Sequence, residues 1–128
     1  MVDNSHRAEC VADPWIRLVM LIDRDLNAPI QNQHLLIELW HAGMRDAKRR
    51  DHGEQYWTSH RECYMTTVIE GCNEGAFALT LSPGQLVDQL LAMLAGAMVH
   101  RVLQFSAPNA VHFRTALLHQ LAQMLGRA

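Results

Sequence analysis

What the sequence lacks narrows its possible functions first. It has no excess of positive charge: Lys and Arg number 11 against 13 Asp and Glu, a formal charge of −2. That balance offers no surface suited to nucleic acid. Cysteine is sparse and odd in number, with Cys10, Cys63 and Cys72 at no paired spacing. Reduced thiols in a cytoplasmic protein fit that usage better than a disulfide framework. Residues 1–20 lack the charged, apolar and small-residue succession of a secretory signal. Leu90 to Val99 is an apolar run of ten, half of the roughly 20 residues that a bilayer span needs, so no membrane partner is expected. Glycine-rich phosphate loops, Walker elements, nucleophile elbows and zinc motifs are also missing. Without them, neither an enzymatic activity nor a cofactor is expected.

What is present is a globular composition, 49% apolar and 19% charged, in a chain of the usual length for one domain, residues 1–128. Its centre is Ser82 to Phe105. Ser82 caps a helix, Pro83 suits the first helical position, and Gln85 completes a capping box. Val87, Leu91, Leu94, Met98 and Val102 form a bulky stripe at helical spacing. Ala92, Ala95, Gly96 and Val99 form a slim stripe nearly opposite. A helix apolar on two sides is covered on two sides.

The other segments also read as helices. Asp13 and Pro14 start one that runs to about Leu26, and another follows from about Pro29 to Lys48. The charged run Arg45 to His52 reads as the second helix's end plus a turn, with cations placed at a helix C-terminus. A long helix then spans about Gly53 to Asn73 and ends at Gly75 in a left-handed cap. The last helix, Ala110 to Leu125, is amphipathic. No segment alternates as a strand does, so the chain reads as an all-α bundle of about five to six helices, Met1 to Ala12 being a weak helix or a frayed start.

Three constellations are candidates for function. Trp40, His41, Met44, Trp57, His60, Tyr64, Met93 and Met98 come from three helices and combine apolar bulk with polar tips. Bundles line small-molecule sites between helices in this way, although core packing accounts equally well for any one of them. His34, Glu38 and His41 share a helical face, and Glu38 to His41 is a Glu-x-x-His element of the kind used in di-iron bundles. No second copy follows, and a solvated surface explains the face better than a metal site. Phe113, Leu117, Leu121 and Leu125 give the last helix more apolar face than one neighbour readily covers. Together with Ala92, Ala95, Gly96 and Val99 they form the expected interface of a homodimer, since a two-fold contact hides such a face on both subunits at once.

Val68-Ile-Glu-Gly-Cys-Asn-Glu-Gly-Ala-Phe77 resembles the end of the long helix in TetR-family transcriptional repressors. Leu79-Thr-Leu-Ser-Pro83 and Leu90-Leu-Ala-Met-Leu-Ala-Gly96 resemble the segment after it. Leu39-Trp-His-Ala42 with Arg45-Asp46 is similar to the preceding helix of the BetI-like branch. The similarity runs from about Asp13 to Gly126. It implies the C-terminal effector-binding and dimerisation domain of such a repressor, with a small apolar or aromatic effector among the earlier helices and the penultimate one. It also implies that the last two helices pair into a four-helix bundle. Met1 stands about where the family's helix-turn-helix domain would already have ended, so DNA binding is expected only through an N-terminal domain absent from this chain. A small helical enzyme or metal-binding protein using His34, Glu38 and His41 is the alternative.

Overall fold

The computed structural model describes residues 13–104 and 110–127; the expectation for residues 1–12 lies outside them. Five helices follow one another: α1 (Pro14–Leu26), α2 (Ile30–Gly43), α3 (Ala47–Asn73), α4 (Pro83–Leu103) and α5 (Ala110–Met124). Among the described residues there is no strand. The all-α reading is therefore correct.

Local chemistry starts and stops these helices. The Asp13 carboxylate accepts from the amides of Trp15 and Ile16, and Pro14 occupies the first turn of α1. Both halves of the Ser82–Gln85 capping box are formed, at 3.2 Å each. Gly75 adopts φ +78° after α3, and the amides of Ala76 and Phe77 fold back on the Gly71 carbonyl at 2.9 and 3.1 Å.

One boundary differs from the sequence reading. The charged run belongs mainly to the start of α3, and the turn lies at Met44 to Asp46. Asp46 decides this: its carboxylate caps the amides of Lys48 and Arg49 at 3.0 and 3.4 Å. The cations expected at a helix C-terminus thus stand at an N-terminus. Arg50 offsets this by donating from Nε to the terminal Gly43 carbonyl of α2, 2.9 Å away.

Helix α3 packs on α1, α2 and α4, and α4 packs on all four others. Leu18, Ile22, Tyr64, Val68, Leu86, Leu90 and Leu121 are fully buried in one core. By length and mean hydropathy alone α4 qualifies as a candidate membrane span. Part of that apolarity, Leu86, Val87, Leu90, Leu91 and Leu94, is buried in the chain's own core. Cys63 and Cys72 are half-buried free thiols.

At the C-terminus the Leu125 carbonyl accepts from the Ala78 amide at 2.9 Å, and Gly126, at φ +70°, lies against the Ala78 carbonyl. Arg127 then covers the Trp15 ring, 4.6 Å from its centroid.

Gly71 is the tightest helix-to-loop approach: a Cβ there would sit 2.1 Å from the Phe77 ring. Gly71→Ala is expected to displace that ring and lower unfolding free energy by about 1–3 kcal/mol. Urea denaturation of the variant measures it; an unchanged midpoint would contradict the packing described.

Candidate functional site

Tyr56, His60 and Tyr64 recur every four residues on α3 and so lie along one helical face. Two of them converge on Asp25, near the end of α1. His60 Nε2 lies 2.8 Å from Asp25 Oδ2, and the Tyr64 hydroxyl donates to the same oxygen. Arg24 Nε lies 3.5 Å from the other oxygen. The three rings of the ladder stack: Tyr56 on His60 at 5.8 Å and 11°, His60 edge-on to Tyr64 at 5.7 Å and 67°. Burial is the largest reason the Tyr64 phenol is held well above its ordinary pKa, with the Asp25 charge and hydrogen bond adding to it. Tyr56 is raised in the same sense, first by burial and then by Asp25, with Arg24 opposing. Both rings are therefore neutral donors at neutral pH.

The network continues beyond Asp25. The Asp25 carbonyl accepts from Gln33 Nε2 at 3.4 Å. Gln33 is 5% exposed, and its Oε1 accepts from Arg101 Nη1 at 3.2 Å. The same nitrogen donates to the Ala28 carbonyl at 2.7 Å. Side chains of α3, α1, α2 and α4 are thus joined in one polar chain.

Two adjoining cavities open beside it. The smaller, about 90 Å³, has aromatic walls from Trp40, Tyr56, Trp57 and His60, with the two indoles edge-on at 6.1 Å and 70°. The larger, about 610 Å³, lies between the end of α1, α4 and the start of α5. Asp25, Gln33, Leu94 and Met98 line both. A histidine held by a carboxylate at the rim of apolar space supplies a directional polar contact to a ligand.

The expected ligand residues divide accordingly. Trp40, Trp57, His60 and Met98 line the smaller cavity, and Met93 joins Met98 on the larger. Tyr64 stands behind them in the core, its hydroxyl used on Asp25. His41 and Met44 need correction, because both are exposed and line neither cavity. Gln33, Leu36 and Trp40 form the inward face of α2, which turns His41 outward, and Met44 sits in the turn. His34, Glu38 and His41 share that exposed face. Among the described residues no group of three His, Cys, Asp or Glu is placed to hold a metal ion.

The expected dimer surface divides too. Ala92 and Gly96 are exposed, and Ala95, Val99 and Phe113 are half-buried. Leu117, Leu121 and Leu125 are not a surface: at 3%, 0% and 0% exposure they fill the chain's own core. The bond from Ala78 to Leu125 pins the end of α5, and these leucines join the core cluster with residues of α1, α3 and α4.

Sequence reasoning missed Asp25, Gln33, Arg101 and Arg114. A signal existed in Asp23-Arg24-Asp25, three charges in a row at the end of α1, but the partners of Asp23 and Asp25 lie far along the chain. No protein-family model, no curated protein and no solved structure matches this chain.

The raised Tyr64 pKa has a consequence for stability. The fold favours the protonated phenol, so its contribution is complete below the unfolded value, about pH 10, and is lost as pH rises through the higher folded value. Melting temperature should therefore fall steeply above about pH 10. Tyr64→Phe should flatten that fall while lowering stability at pH 7 by about 1–3 kcal/mol. Equal alkaline slopes for both proteins would refute this role for the phenol.

Proposed function

We propose that this chain is the small-molecule-sensing, dimer-forming domain of a TetR-like transcriptional regulator, acting in the cytoplasm. One observation carries the reading: a cavity of about 610 Å³ with an apolar wall of α4 and α5 side chains and polar groups toward the end of α1 and at Arg101 adjoins an aromatic-walled one, and Asp25 and Gln33 stand on both. The larger falls within the ~300–1,000 Å³ range of ligand sites in proteins, and the mix of apolar wall and sparse polar handles is the usual one. The resemblance of residues 68–77, 79–83 and 90–96 to the TetR effector domain supports the same function. The exposed Ala92 and Gly96 of α4 would admit a second copy, and since both also line the larger cavity, that copy would border the ligand.

In this reading a ligand shifts the population of helix arrangements. Its contacts reach α1 through Asp25, α2 through Gln33 and α4 through Met98, so a change in their spacing is transmitted along the polar chain that joins them. DNA would be held by a domain other than this one.

An apolar aromatic effector is expected to raise the melting temperature and quench the indole fluorescence of Trp40 and Trp57. The stabilisation should reach about 2.7 kcal/mol at a hundredfold excess over Kd. Met98→Trp, which fills the wall shared by both cavities, should abolish both effects. A broad screen of apolar and aromatic compounds that shifts neither signal would overturn the proposal. Sedimentation equilibrium should give twice 14.5 kDa; a monomer at micromolar concentration would remove the dimer from it.

A further inference from the structure

The larger cavity has an uneven charge balance. Its wall carries Asp23, Asp25, Arg101 and Arg114, with His100 beside them. Arg114 is spent: Nε and Nη2 grip the two oxygens of Asp23 at 2.6 and 3.0 Å. Asp25 is also satisfied, by His60 and Tyr64 on one oxygen and by Arg24 near the other. Arg101 differs. Its Nη1 donates to two neutral oxygens, those of Ala28 and Gln33. Among the described residues no carboxylate forms an ion pair with it. A guanidinium held on one nitrogen keeps further N–H donors in a planar fork, the geometry that grips a carboxylate.

Apart from Asn27 and Gln33 the rest of the wall is apolar, with Leu26, Met93, Ala97 and Phe113 among its residues. Gly96 lies on the same wall, and a Cβ there would meet nothing within 4 Å, so the floor is open space.

We propose that the larger cavity binds an anionic amphiphile, an apolar chain or ring ending in a carboxylate, with Arg101 gripping the carboxylate. This rests on the reading of the cavity as a ligand site and names the chemical class of its occupant. An amine-terminated ligand is disfavoured because both carboxylates on the wall already have cationic or hydrogen-bonding partners. A wholly apolar ligand would leave the Arg101 charge uncompensated at the cavity edge. The position of Arg101 also gives binding a mechanical consequence. The side chain spans from α4 to the α1–α2 turn at Ala28 and to Gln33. A carboxylate competing for it draws on the joint between α4 and the first two helices.

The test compares decanoate, decan-1-ol and decylammonium on the full chain by calorimetry, each below its aggregation concentration. Decanoate should bind at least tenfold more tightly than the alcohol, and decylammonium most weakly. Arg101→Gln should erase the preference for decanoate over the alcohol, and Arg101→Lys should keep part of it. Because Arg101 is exposed, raising the salt should shrink the preference. Circular dichroism melts of each variant verify that the fold is retained. Equal affinity of wild type for decanoate and decanol would overturn the carboxylate assignment and leave the ligand-site reading standing. So would a decanoate preference that survives Arg101→Gln. If none of these probes binds, and no aromatic compound does, both readings fall together.

Discussion

The arrangement of this bundle depends on how one carboxylate is satisfied. Asp25 is only 19% exposed in its side chain, and a carboxylate withdrawn from water destabilises a fold unless donors surround it. Here two donors from α3 meet one oxygen, and Arg24 approaches the other. Because His60 and Tyr64 are one helical turn apart, satisfying both fixes the position of α3 along α1 as well as its rotation. Apolar packing alone tolerates small slides between helices; a shared acceptor for two side chains does not. The same carboxylate stands in the wall between the two cavities, so the constraint that sets the helix pair also shapes the candidate site.

The remaining helices are tied to that pair by a few polar joints over a continuous core. Gln33 links α2 to the Asp25 backbone and to Arg101 of α4. Arg114 links α5 to Asp23 of α1 by a two-point grip, and the C-terminal tail is held against Ala78. At its start α5 leaves a gap beside α4, lined by the small residues Ala92 and Gly96 and by Phe113. The larger cavity is the space that these joints hold open.

The contrast between what the sequence disclosed and what it concealed follows from the range of the interactions. Caps are local, so Asp13, Ser82, Gln85 and Gly75 were readable from adjacent residues. The α2–α3 boundary was misplaced because a run of cations suggested a helix end, whereas a single Asp46 side chain bonded to two amides starts α3 there. The apolar face of α5 was plain, but amphipathicity says that Leu117, Leu121 and Leu125 are covered without saying by what. A tail pinned to Ala78 settled it in favour of the chain's own core. Of the site, the aromatic and methionine wall was legible from residue type. The Asp25 centre was not, since its partners lie 35 and 39 residues away and nothing in the local pattern couples them.

A double-mutant cycle between Asp25 and Tyr64 tests the central claim most directly. Asp25→Asn, Tyr64→Phe and the double variant would be unfolded in urea at pH 7 beside the wild type. If the carboxylate and the phenol fix the helix pair together, the two losses should fall short of additive by about 1–3 kcal/mol, with the double variant close to the more damaged single one. Losses that add to within about 0.5 kcal/mol would mean that the two residues act independently and that Asp25 does not organise the bundle.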